Sequence, residues 1–136
     1  MKRFKVALIE DNPDHVFLIT RTIEGCEDLG ELRVFSTAEE ALRKLSGGDD
    51  NSFVPDFLLV DLKLPGMSGQ EFLHRLHSSG ELAKMPAFVL TSSDRLKDRL
   101  ECEELGALGY FLKPLLDDDL DTIIKRLVSA DPLRQR

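Results

Sequence analysis

The chain has 136 residues, 42% hydrophobic and 32% charged, which suits one domain around one core and excludes a disordered chain. A net charge of −7 argues against direct nucleic-acid binding, which needs cations against phosphate. Apolar runs only a handful of residues long exclude a membrane span, and MKRFKVALIEDN meets acids too early for a signal peptide, so a cytoplasmic protein is expected.

Lys5–Ile9 (KVALI) is the first predicted strand. Asn12 and Pro13 then form an N-cap with proline at the first helical position, before Val16, Ile19, Ile23 and Cys26 at helical spacing. Leu32–Phe35 (LRVF) is the second strand, and Ser36 with Glu39 forms a capping-box pattern before Ala38, Ala41, Leu42 and Leu45. A polar loop, Gly47–Pro55, leads to the third strand, Phe57–Val60 (FLLV). Ser68 and Glu71 repeat the capping box before Phe72, Leu73 and Leu76. After the loop Ser78–Pro86 comes the fourth strand, Ala87–Leu90 (AFVL). Asp94 is expected to cap a helix running to Leu105, whose apolar stripe, Leu96 and Leu100, is thin. Leu108–Leu112 (LGYFL) is the fifth strand. Asp117 opens the last helix, with Leu120, Ile123, Ile124, Leu127 and Val128 on one face and three acids at the positive end of its dipole.

Five strands alternating with five helices, several strands apolar throughout, imply an open parallel α/β sheet covered on both faces. One domain over 1–136 is expected, with a core at 4–129 and a short tail at 130–136. Cys26 and Cys102 lie far apart in helix-like patterns and read as buried or part-buried thiols. His15, His74 and His77 lie in helical segments without partners at ligand spacing and read as surface or boundary residues.

Open α/β sheets bind ligands beyond the carboxyl ends of their strands. The first strand ends in Glu10 and Asp11, the third in Asp61, the fourth in Thr91 and the fifth in Lys113. Two carboxylates 4 Å apart repel by about 4 kcal/mol at an effective dielectric near 20, so three of them need a cation or must hold protons. Oxygen donors with no Cys or His favour Mg²⁺ over zinc. A divalent ion and Lys113 around one carboxylate suit a phosphoryl group in transit, with Asp61 as the nucleophile. The Thr91 hydroxyl and Lys113 would hold the remaining phosphoryl oxygens. The backbone carbonyl of Lys63 is a further candidate metal ligand.

VALIEDN, FLLVDLKLPGMSG, FVLTSSD and GYFLKP, in that order, resemble the receiver domain of two-component response regulators over roughly residues 4 to 129. The resemblance implies a flavodoxin-like, CheY-like (βα)5 sheet with strand order 2-1-3-4-5. It implies Asp61 as phosphoacceptor, with Mg²⁺ on Glu10, Asp11 and Asp61, and Thr91 and Lys113 on the phosphoryl group. It also implies Tyr110 as an aromatic switch moving with Thr91, a cis Lys113–Pro114 bond, and tuning of phosphoryl lifetime by Lys63 and Ser93. Lys63 is a cation where many relatives carry a polar side chain. The implied donor is a sensor histidine kinase or a phosphotransfer protein, and the implied output face is Asp94–Val128, a candidate homodimer surface. The loop before the third strand and the VLTSSD segment resemble the small stand-alone regulators that accompany phytochrome-like histidine kinases. Beyond catalysing its own phosphorylation and dephosphorylation, such a domain is not an enzyme.

Two other classes compete. A phosphohydrolase resembling the haloacid dehalogenase family would carry a second acid two residues after the nucleophile, where this chain has Lys63. A flavodoxin-like FMN module would cradle phosphate in its first loop, where this chain has Glu10 and Asp11.

Overall fold

The computed structural model describes residues 3–45 and 53–130; most of the Gly47–Pro55 loop and the end of the tail lie outside the described residues. Five parallel strands form one sheet in the order β2-β1-β3-β4-β5. They are β1 (Phe4–Ile9), β2 (Leu29–Phe35), β3 (Phe57–Val60), β4 (Ala87–Thr91) and β5 (Gly109–Leu112). The helices are α1 (Pro13–Glu24), α2 (Ala38–Leu45), α3 (Gly69–Ser79), α4 (Leu96–Glu104) and α5 (Asp117–Ala130). This is the flavodoxin-like arrangement expected, with one unforeseen 3₁₀ turn at Glu81–Ala83.

The pleat explains the unbroken apolar strands. Val6 and Leu8, Phe57 and Leu59, and Phe88 and Leu90 face one side, where Ile19 and Ile23 of α1 and Leu120, Ile123 and Leu127 of α5 cover them. Ala7 and Ile9, Leu58 and Val60, and Ala87 and Val89 face the other, under Ala38 and Ala41 of α2, Phe72, Leu73 and Leu76 of α3, and Cys102 of α4. All four residues of β3 are fully buried. Each such side chain contributes about 1.5–3 kcal/mol relative to exposure.

Four strand limits depart from expectation, β2 by the most; β1 starts at Phe4, one residue before Lys5. β2 begins three residues before Leu32, pairing Leu29 with Phe4. Gly30 and Glu31 hide this start because an edge strand turns alternate residues to solvent. At the other edge, Leu108 donates its amide to Ala87 without joining β5, and β4 extends to Thr91.

The α1 cap is as expected, the α3 cap agrees in place but not in its return bond, and the α2 cap shifts by one residue. Asn12 caps α1, its side chain accepting from the amides of Asp14 and His15. Ser68 caps α3 through the Glu71 amide, while the Glu71 carboxylate pairs with Arg75 instead of closing the box. In α2 the cap is Thr37 and not Ser36: its hydroxyl accepts from the Glu40 amide at 3.1 Å. That releases Glu39, whose carboxylate accepts from the Met67 amide at 3.1 Å in the loop after β3. Asp94 does not cap α4. The N-cap is Arg95 without a side-chain bond, and the Ser93 hydroxyl takes the Arg95 amide and donates to Asp98. Leu116 precedes α5, with its amide bonded to the Asp119 carboxylate.

Candidate functional site

Parallel pairing sets the ends of β1 and β3 side by side, with Ile9 opposite Val60. The next residues, Glu10 and Asp61, therefore leave the sheet together, and the Asp61 amide donates to the Ile9 carbonyl at 3.1 Å. Asp61 is buried. Its Oδ1 accepts from the Leu62 amide at 2.7 Å and the Lys63 amide at 3.4 Å, so main chain alone holds that oxygen. Its Oδ2 accepts from Lys113 Nζ at 2.9 Å. Lys113 is placed by the pairing of β5 with β4, and its amide donates to the Thr91 carbonyl at 2.9 Å. The Lys113–Pro114 bond is cis.

One oxygen from each of Glu10, Asp11 and Asp61 lies within 4.8 Å of the others. Glu10 is buried and its Oε2 accepts from the Asn12 amide at 3.1 Å. Its Oε1 sits 2.6 Å from Lys113 Nζ. That approach lies off the line a hydrogen bond requires, so Oε1 has a charge contact but no hydrogen-bond partner among the described residues. A buried carboxylate oxygen with a charge contact but no directed hydrogen bond, beside two further acids, is a donor a hard cation could use. The donor set is all oxygen and suits Mg²⁺. One lysine faces three carboxylates at this edge.

Lys113 thus contacts Glu10 and Asp61 directly, and Asp11 brings a carboxylate oxygen within 4.8 Å of theirs. Thr91 is fully buried at the end of β4, and its hydroxyl faces the Ser93 amide at 3.4 Å. Lys63 reaches Asp61 through its amide. Tyr110 lies partly buried, and its hydroxyl donates to the Ser93 carbonyl at 2.9 Å. Desolvation pushes the Tyr110 phenol above its usual range, partly offset by the contact with Ser93.

Two residues at this edge escaped the sequence reading. His15 is no bystander: its Nδ1 lies 2.8 Å from Lys113 Nζ and 3.8 Å from Glu10 Oε1. The available signal was the Asn12–Pro13 start, which puts residue 15 in the first turn of α1, beside the strand ends. Glu39 is the other. Its Oε2 would lie 2.6 Å from a side chain at Gly66, whose φ of +72° also demands glycine. His74 and His77 remain on the helix surface as expected.

The response regulator receiver domain family matches residues 6–125, and the chain belongs to it. It is accordingly a CheY-like receiver of two-component signalling, a signalling domain and not a conventional enzyme. The match separates it from the phosphohydrolase and FMN-module readings. The probable methanogenesis regulatory protein FilR2 of Methanothrix harundinacea is 32% identical over 91% of this chain and 81% of its own length. The bacteriophytochrome response regulator AtBRR has a TM-score of 0.80 at 30% identity, covering 93% of this chain and 94% of that one. The Mn(2+)-bound form of response regulator Rcp1 has a TM-score of 0.75 at 26% identity, covering 93% and 92%. Not every relative is this short: the chain spans 41% of the probable transcriptional regulator ycf29 of Porphyra purpurea, which is 33% identical over 86 residues.

Proposed function

We propose that Asp61 accepts a phosphoryl group from a phosphohistidine on a sensor histidine kinase or phosphotransfer protein. The observation that carries this reading is the convergence of three carboxylates, Glu10, Asp11 and Asp61, with Lys113 against two of them. Glu10, Asp11, Asp61 and the Lys63 carbonyl would hold Mg²⁺. When bound, that ion supplies positive charge to phosphoryl oxygens and to the acids around them.

An Asp61 oxygen bonds to phosphorus as the phosphorus–nitrogen bond of the donor breaks, and the departing imidazole keeps the bond's electron pair. Lys113 then exchanges its Asp61 contact for a phosphoryl oxygen, and the Thr91 hydroxyl takes another. Later attack by water on phosphorus returns Asp61 and releases phosphate, so the domain also resets itself.

Phosphorylation adds about two negative charges, which bias two arrangements of the surface. Thr91 and Tyr110 connect through Ser93, whose amide faces one hydroxyl and whose carbonyl accepts from the other. The output surface is Asp94–Val128. Of α4, only Cys102 is buried, whereas Leu96 is 67% and Leu100 49% exposed; Leu112 on β5 is 49% exposed. That face suits a downstream protein or a second copy of this chain. The likeness to AtBRR supports a phytochrome-type kinase as donor. Among the described residues no helix is long and apolar enough to cross a membrane.

The deciding experiment is intact-mass spectrometry after exposure to a small acyl phosphate, with and without Mg²⁺. The wild type should gain one phosphoryl mass only with Mg²⁺, and Asp61→Asn should gain none. Equal labelling of Asp61→Asn would remove Asp61 from this role.

A further inference from the structure

A lysine ammonium has three protons to give and a flexible four-carbon stem to place them. At Lys113 two directed hydrogen bonds use two of them: Asp61 Oδ2 at 2.9 Å and His15 Nδ1 at 2.8 Å. The third contact, Glu10 Oε1 at 2.6 Å, is close but misdirected. Phosphoryl transfer disturbs both carboxylate contacts, since Asp61 becomes an acyl phosphate and the Glu10 oxygen is the one a hard cation would draw. The imidazole nitrogen is a poor ligand for such a cation and has no reason to leave the lysine.

We infer that His15 is a positioning residue for Lys113, holding the ammonium at Asp61 while its carboxylate contact is exchanged for a phosphoryl oxygen. This rests on the reading of Asp61 as phosphoacceptor. The backbone makes His15 a firm anchor. It sits in the first turn of α1, behind Pro13, with its amide bound to the Asn12 side chain at 3.3 Å. Because an ammonium only donates, Nδ1 must present its lone pair, and the ring proton resides on Nε2.

The contact is tested first in the unphosphorylated, metal-free protein. Nitrogen NMR of the full chain should show His15 as the Nε2–H tautomer and Lys113 Nζ as a resolved signal that His15→Phe shifts or broadens. An Nδ1–H tautomer, or an unmoved Lys113 signal, overturns the inference. The role is tested by labelling kinetics with a small acyl phosphate and Mg²⁺. His15→Phe keeps a ring of similar size but no acceptor. Its rate at saturating donor should fall about tenfold, with little change in the half-saturating donor concentration. His15→Asn, whose side-chain oxygen stands near the Nδ1 position, should recover most of the rate. A His15→Phe variant as fast as wild type, or an Asn variant as slow as Phe, overturns the role. If the wild type takes no label, the phosphoacceptor reading fails, and the NMR result still decides the contact separately.

Discussion

Gly69 stands so close to the main chain of Asp61 that a Cβ on it would run into the Asp61 carbonyl oxygen and sit 2.8 Å from the Leu62 α-carbon. The first turn of α3 thus packs onto the end of β3, and the Gly69 amide donates to the Leu62 carbonyl at 3.0 Å. The backbone that aims Asp61 is braced by a residue without a side chain.

Gly69→Ala should therefore destabilise the fold although alanine is the better helix former. Helix propensity favours alanine by up to about 1 kcal/mol. The clash is with main chain that cannot rotate away, and overpacking of this kind costs about 1–3 kcal/mol. A net loss of roughly 1–2 kcal/mol in urea denaturation is expected. A gain in stability would mean that α3 can lift from β3 freely.

The three acids at the strand ends repel one another when no cation is present. Asp11 is the exposed member, so its charge can be removed without stranding a buried group. Asp11→Asn should raise the metal-free stability by about 0.5–1 kcal/mol at low salt, with the gain shrinking as ionic strength rises. Mg²⁺ should raise the melting temperature of the wild type and do much less for the variant. Equal stabilisation of both proteins by Mg²⁺ would show that Asp11 takes no part in holding the ion.

Burial of the Cys102 thiol, reinforced by the Glu101 and Asp98 charges, pushes its pKa from 9.0 up to about 12. The unfolded chain thus loses this proton at lower pH than the folded one. The contribution to stability is complete below pH 9 and is lost as pH climbs toward about 12. Urea denaturation between pH 8 and pH 11 should show falling stability, and Cys102→Ala should flatten part of that slope. Some slope should persist, because Tyr110 shifts in the same direction. An unchanged slope in Cys102→Ala would exclude the thiol as a contributor.

The kind and order of the elements were legible in the sequence because their causes are local. Apolar runs marked β1, β3 and β4, and the 3.6-residue period marked α1 and α5. The edge strand β2 was harder. β2 turns alternate residues to solvent and its start moved by three residues, against one residue at β1, β4 and β5. Caps were harder still. In STAEE both Ser36 and Thr37 stand three residues before a glutamate, and only the packing of α2 against the sheet decides between them.

At the site, the sequence alone determined that Glu10, Asp11, Asp61, Thr91 and Lys113 stand at strand ends, because each directly follows or closes an apolar run. Tertiary structure alone decided the contacts between them. His15 and Lys113 are 98 positions apart, and nothing in either segment refers to the other. Their meeting depends on strand order and on α1 and α5 sharing one face of the sheet, which no local pattern encodes. Likewise Glu39 carries a carboxylate that any helix start would welcome, and only the folded loop turns it toward the Met67 amide.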